Sequence, residues 1–458
     1  MKKKGLLSAI MTIVLCLSII AGSTYALFTS RSELNIAVTA GKVDMVAGVT
    51  VTSVESVEGD VNGTIVDEFG STYSYSYSDA AAPYNFINGG EAKVDGAVLT
   101  VDRITPGDKI NIAVSGTNTS DIPVKYRYIV ECIDGYKLMD GLTVYVGGGT
   151  YTSMASFTSV WTTLAAGTDM PVENISIELP VDAGNEYQRQ NTKIRIIVEA
   201  VQANGVVDTN TQPTVVNIPK VDNINELKSA LQNPEIPAIN ILEDIADTVT
   251  VDYDISNKTI FVNGNDASFN FTKNVENVEI IGIKNDTEHC SINVSGATGG
   301  SLTVLDSTFK STSGANNPSI YLGSNVSVKA ENCTFTNGSG KGYGIRGNSS
   351  ADLTVINCEF YNYTSWPIIV NGKADGDVKI DGCTFDTKAG VFKTLGDGIT
   401  GDFTFTNNTM KAPGDNNDIN KVVVSGSGNG PIICKGTVTS ENNTLNGSAW
   451  TVNVLTTP

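Results

Sequence analysis

Six eight-residue segments repeat through the second half of the chain, and no other feature narrows its fold so far. They read LTVLDSTF, VKAENCTF, LTVINCEF, VKIDGCTF, FTFTNNTM and VTSENNTL. Their last residues are Phe309, Phe335, Phe360, Phe385, Met410 and Leu445, at intervals of 26, 25, 25, 25 and 35 residues. A near-constant period of this size means that each repeat is one structural coil, able to bury its apolar face only against its neighbours. The first and third positions are mostly apolar (Leu302 and Val304, Leu353 and Val355, Val378 and Ile380). The fifth is Asp306, Asn332, Asn357, Gly382, Asn407 or Asn442, all residues that suit a bend. Alternation followed by Asn or Gly predicts a strand and then a corner, not a helix. Ile320, Ile345, Val370 and Leu395 add a second register, also spaced by 25. Two strand registers on one period predict a parallel β-helix.

Upstream, weaker rungs are expected at Ile239/Ile241, Ile260/Val262 and Val278/Ile280, giving about nine coils counted from Ile239. The segment NINELKSALQ (Asn223 to Gln232) predicts one short helix. Asn223 and Glu226 have capping-box spacing, and Ile224, Leu227, Ala230 and Leu231 share a face. Such a helix is expected to cover the exposed first rung of the stack. Residues 204–221 lose the alternation and read as a linker, leaving 222–458 as the β-helix.

The region before the linker, 27–203, alternates differently. Strands are expected in TYSYSYSD, KINIAVSG, PVKYRYIVE, LTVYV, VENISIEL and KIRIIVEAV, separated by Gly and Pro turns and with no convincing helix. That pattern predicts a jelly-roll-like β-sandwich. The fold class expected for the whole chain is therefore all-β: a jelly-roll-like sandwich, then a right-handed parallel β-helix capped by a short helix.

The first 26 residues hold three lysines, an apolar run from Gly5 to Ala21, and small residues ending at Ala26. These are the parts of a secretory signal peptide, with cleavage expected between Ala26 and Leu27 and a secreted or cell-surface location. Without that segment the charge is 27 basic against 49 acidic residues, the 30 of the full chain less its three leading lysines. A net charge of −22 repels nucleic acid, which is excluded as a partner. No later run is long and apolar enough for a transmembrane segment. Cys333, Cys358 and Cys383 recur at the coil period and are expected to stack as buried thiols.

Three separated stretches resemble the TasA/camelysin family of exported Gram-positive proteins. They are TYALFTSRSELNIAVTAGKVDM, ITPGDKINIAVSGTNTSDIPVKYR, and LPVDAGNEYQRQNTKIRIIVEAVQAN with its AGNEYQ signature, in that order within a match that spans roughly 1–204. The resemblance implies a jelly-roll fold and secretion through a dedicated signal peptidase, and some members of the family assemble into extracellular fibres of the biofilm matrix. The segment freed by cleavage, from Leu27 to about Ala47, is strand-like and without proline, so self-assembly through this N-terminal strand is an expectation. The family also carries a metallopeptidase label. The residues argue against it, because zinc hydrolysis wants several His or carboxylate ligands and a base, whereas the chain's single histidine, His289, lies in the other half.

The second half resembles the pectate-lyase-like β-helix superfamily. Lyases of that fold pair calcium-binding carboxylates with a basic residue. The residues that could fill those roles are Arg346, the only arginine there, and the carboxylates Asp375, Asp377 and Asp381 in KADGDVKIDG. Asp beside a turn Gly is common for backbone reasons alone. No catalytic, cofactor-binding or metal-ligating set is therefore assigned, and these four stand as surface candidates. The expectation is a secreted, non-enzymatic surface or matrix protein whose β-helix presents an adhesive face to a glycan or matrix protein. The alternative is a secreted polysaccharide lyase or hydrolase.

Overall fold

A computed structural model describes residues 29–33, 43–55, 64–66, 72–74, 84–85, 91–95, 97–184, 187, 190–203, 211–286, 290–311, 318–338, 342–348, 351–371, 376–388, 390–396, 398–411, 422–426 and 429–456. The chain divides into two units, Met1–Ile218 and Pro219–Pro458. The cleavage site Ala26/Leu27, His289 and Asp375 fall outside the described residues.

The first unit is a sandwich of two antiparallel sheets. Sheet A is nine-stranded and centred on Asn191–Gln202, which pairs with Val124–Asp134 on one side and with Val98–Asp102 on the other. The N-terminal strand Thr29–Glu33 pairs with Ile197–Val201 of the same central strand, beyond the stretch that Val98–Asp102 occupies. Sheet B is five-stranded and runs from Gly149–Thr152 to Met45–Glu55. Strict alternation explains the division of faces. In Lys109–Asn118 every second residue is buried (Ile110, Ile112, Val114), as a half-buried antiparallel strand requires.

Two turns within the stretch Ile104 to Arg127 are held by side chains. In ITPGD, the Asp108 carboxylate accepts from the Thr105 N–H at 2.9 Å, and Gly107 has φ 92. In GTNTSDIP, the buried Asn118 amide donates to the Ile122 and Ala165 carbonyls at 3.0 and 2.9 Å. A short helix, α1 (Tyr136–Gly141), was not expected. It has only six residues and shows no helical period, but it buries Leu138 and Met139. Part of the expected linker is strand: Thr214–Asn217 pairs antiparallel with Met154–Thr158 and so extends sheet A.

The second unit is a parallel β-helix with three sheets. Sheet C has ten strands, from Lys220–Val221 to Val438–Glu441; sheet D has eight, from Val249–Val251 to Val423–Ser425; sheet E has seven, starting at Thr308–Ser311. Nine sheet-C strands lie from Ala238–Ile241 onward, whereas coils complete on all three sides number six, because sheet E begins late. The repeat alignment holds in both of its registers within the eight-residue segments. Leu302, Val328, Leu353, Val378, Phe403 and Val438 are successive partners, as are Phe309, Phe335, Phe360, Phe385, Met410 and Leu445. All six fifth-position residues take positive φ, between 48 and 67°, and make the corner between sheets C and E.

The second expected register fails halfway. Ile320 does pair with Ile345, but Ile345 pairs with Ile368 instead of Val370, and Ile368 with Phe392. The connection that follows Tyr363 is two residues shorter than its predecessor. A shift of two keeps Val370 facing inward, while Leu395, one further step out of phase, lies only partly buried.

The helix α2 (Ile224–Gln232) starts as expected at Asn223, whose side chain accepts from the Asn225 and Glu226 N–H groups. The return arm of the capping box goes instead to the Asp222 N–H. Leu227, Ala230 and Leu231 face the core, and buried Lys258 ties down the helix's far end by donating to the Asn233 and Ile236 carbonyls. Among the described residues no helix is long and apolar enough to cross a membrane.

The six described cysteines are free. Cys333, Cys358 and Cys383 form the expected buried ladder, continued by Ser307 at one end and by Asn408 and Asn443 at the other. Each thiol donates to the carbonyl two residues earlier, at 3.2–3.4 Å. Burial pushes the Cys333 and Cys383 thiols well above the ordinary thiol range.

Candidate functional site

The two described aspartate candidates belong to the scaffold. Asp377 stands at the turn into sheet C, where it is one member of a ladder. Asp352 Oδ1 accepts from the Asp377 N–H at 2.9 Å, Asp377 Oδ1 from the Asp402 N–H at 2.8 Å, and Asp402 Oδ1 from the Thr437 N–H at 2.7 Å. Each carboxylate thus satisfies a backbone donor of the next coil. Replacing Asp377 by alanine is expected to cost about 1 kcal/mol in urea unfolding, the loss of one backbone partner. An unchanged urea midpoint would mean that the ladder does not depend on Asp377.

Asp381 fills a gap in a second ladder. Corner side chains bond along the axis: Asn332 donates to Asp306 at 3.3 Å, and Asn442 to Asn407 at 3.2 Å. Gly382 has no side chain to offer, and a Cβ there would meet Asn357 Oδ1 at 2.3 Å. Asn407 donates instead to Asp381 Oδ1 at 2.8 Å, beside a Thr406 hydroxyl at the same distance. Partial burial opposes ionisation of Asp381, but these donors and the Lys379 ammonium, 3.4 Å away, outweigh it and hold the carboxyl below its ordinary range.

Arg346 is elsewhere. It lies in Ile345–Asn348 of sheet D, whereas Asp377 and Asp381 bound a sheet-C strand, and no hydrogen bond or ion pair joins it to either among the described residues. Inward partners of its strand are the core residues Ile345 and Ile320, so alternation turns Arg346 outward. Its row runs Tyr321, Arg346, Ile369, Lys393, Val424 along the helix axis.

Two cation–aromatic pairs stand on this row. The Arg346 guanidinium lies 4.5 Å from the centre of the Tyr343 ring, and the Lys393 ammonium 4.6 Å from that of Trp366. Tyr343 and Trp366 each precede by two residues the paired strand residues Ile345 and Ile368, so they occupy equivalent places on neighbouring coils. Both are partly exposed. Lys393 also donates to Asn429 Oδ1 at 2.6 Å, and burial, to 8% exposure, lowers its pKa below the ordinary lysine value. Arg346 Nε and Nη1 are buried without a hydrogen-bond acceptor among the described residues. Of this strip only Arg346 was singled out from sequence. The 47 residues between Arg346 and Lys393 are not a multiple of the period, because the register shifts between them. The legible signal was the pair Tyr343 and Trp366, each just ahead of an inward Ile.

No family model matches the chain, and neither does any curated protein. Solved structures do. It is similar to a catalytic domain of GH87 alpha-1,3-glucanase in a variant form bound to tetrasaccharides, at 10% identity and TM-score 0.18, over 79% of this chain and 92% of that one. It is also similar to the same enzyme's catalytic domain with nigerose, at 11% identity and TM-score 0.17, with the same coverage. These neighbours are catalytic domains of a glycoside hydrolase, against the expectation that this chain is not an enzyme. That expectation rested on finding no short acid/base motif. In a β-helix, however, neighbouring surface residues come from successive coils more than 20 residues apart, so a site leaves no short motif to find.

Proposed function

We propose that the chain is an extracellular polysaccharide-acting protein, a lyase or hydrolase, whose β-helix engages its substrate along the outer face of sheet D. The observation that carries the reading is the strip of Tyr343/Arg346 and Trp366/Lys393 on closely stacked coils. A surface that repeats along an axis suits a ligand that repeats along its length. Partly exposed aromatic rings offer sugars an apolar face, and the guanidinium and ammonium offer donors to their oxygens. The leader sequence and the resemblance of 1–204 to the TasA/camelysin family support export. The first unit then retains the protein at the cell surface or in the matrix, with self-assembly through Thr29–Glu33 in competition with its pairing at home.

The test uses the full chain on a panel of acidic and neutral polysaccharides. Retention is measured by affinity electrophoresis, and cleavage by new reducing ends or new unsaturated products. Trp366→Ala is expected to weaken retention about tenfold, equivalent to ~1.4 kcal/mol. A Tyr343→Ala/Trp366→Ala double variant that binds and cleaves as well as the parent would remove the strip from the site.

A further inference from the structure

We propose that the β-helix joins a second copy of itself head to tail, the last strand of sheet C in one copy pairing with the first strand of sheet C in the next. The contact is independent of what the β-helix binds. It rests on the two ends of one sheet. Sheet C begins at Lys220–Val221 and ends at Val438–Glu441, and among the described residues no strand pairs with the outer edge of either. Sheet E ends differently. There Ser448–Trp450 folds back antiparallel on Asn443–Leu445, so a further copy would meet a reversed strand. Beside the first edge of sheet C a groove of about 490 Å³ opens, lined by Lys220, Val221, Glu226, Ser229 and Asn233 among others.

The register decides which residues meet. One row of paired residues starts at Lys220, passes through Leu305, Glu331, Ile356 and Asp381, and ends at Glu441 on the tenth strand. Lys220 and Glu441 are both exposed, and neither has an ion-pair partner among the described residues. A second copy added by translation along the axis sets its Lys220 beside Glu441, where the next coil would lie. Open strand edges are templates for further pairing, and the charges they carry select among the pairings. Head against head brings lysines together, and tail against tail brings glutamates together. Head against tail brings opposite charges together. Along the row Glu331, Asp381 and Glu441 alternate with neutral residues, and Lys220 after Glu441 adds no like-charged neighbour. Because the contact joins two different surfaces, it does not close on itself and repeats along the axis. The first strand has only two residues, so the contact is weak and its extent follows concentration.

The experiment follows sedimentation velocity of the full chain over a concentration series, with Lys220→Glu, Glu441→Lys and the double variant alongside, their folding checked by circular dichroism. The parent is expected to associate as concentration rises. Each single reversal is expected to lower the association constant about tenfold, and the double variant to recover most of it, because the two charges are then exchanged. An equimolar mixture of the two single variants is expected to associate more strongly than either alone. A zero-length amine–carboxylate cross-linker, followed by peptide mapping, is expected to join Lys220 to Glu441. Within one copy the ten strands of sheet C hold these residues roughly 43 Å apart, so that link comes from two copies. A parent that stays monomeric throughout overturns the proposal. Association indifferent to the single reversals also overturns it, placing the contact elsewhere, as at Thr29–Glu33. Loss in both single variants without recovery in the double variant does the same.

Discussion

Phe360→Ala is expected to destabilise the β-helix unit by about 3–5 kcal/mol. Phe360 is fully buried between Phe335 and Phe385, with ring centres 4.8 and 4.9 Å away and planes within 8° of parallel. Removing the ring empties a volume that two rigid rings and the thiol ladder cannot collapse to fill. It also removes both stacking contacts, each worth roughly 0.5–1.5 kcal/mol beyond area alone. Phe309 has one such neighbour, at 5.1 Å, so Phe309→Ala is expected to cost less than Phe360→Ala. Urea unfolding of the full chain, followed through the transition of the second unit, measures the difference. Equal, small shifts for both variants would mean that the rings are not a continuous stack.

Asn408→Leu is expected to cost about 2–5 kcal/mol for a different reason, the stranding of buried backbone groups. Asn408 continues the cysteine ladder, fully buried. Its Oδ1 accepts from the Cys383 N–H at 2.9 Å, and its Nδ2 donates to the Ile380 carbonyl and to Asn443 Oδ1, both at 3.0 Å. Leucine of similar volume fills the space, leaves the Cys383 N–H without its acceptor, and takes one donor from the Ile380 carbonyl and one from Asn443 Oδ1. Cysteine is expected to do better, because Cys358 already serves this way: its sulfur accepts from the Cys333 N–H at 3.4 Å. The order parent, Asn408→Cys, Asn408→Leu in urea midpoint is the checkable outcome. If leucine equalled cysteine, hydrogen bonding along this ladder would contribute nothing.

The difference between the two ladders explains what could be read in advance. Phenylalanine at a fixed period has one interpretation, because a large apolar side chain on a repeating coil must go inward. The asparagines and aspartates were ambiguous. Asn357 and Asn407 at the corner, Asn408 beside it, and Asp377 at the opposite turn have similar side chains. One set adopts positive φ, one is buried in the core, and one accepts from the next coil's backbone. Their chemistry fits all three roles, and only their placement chooses among them. For that reason Asp377 and Asp381 could be suspected of binding a ligand when the backbone and the corner ladder already use them.

The period, the inward rows, the corner residues, the capping helix and the division into an antiparallel sandwich and a parallel β-helix were determined by the sequence by itself. These depend on side-chain size and alternation, which are local. Which outward residues meet was decided by the tertiary structure alone. Arg346 and Lys393 share a row because the connection after Tyr363 is shortened, and a two-residue change in one turn resets every outward neighbour beyond it. Inward positions tolerate such a shift, since any apolar residue two places along still faces the core. Outward positions have no core to fix them, so their neighbours follow from the turn lengths that stack one coil on the next.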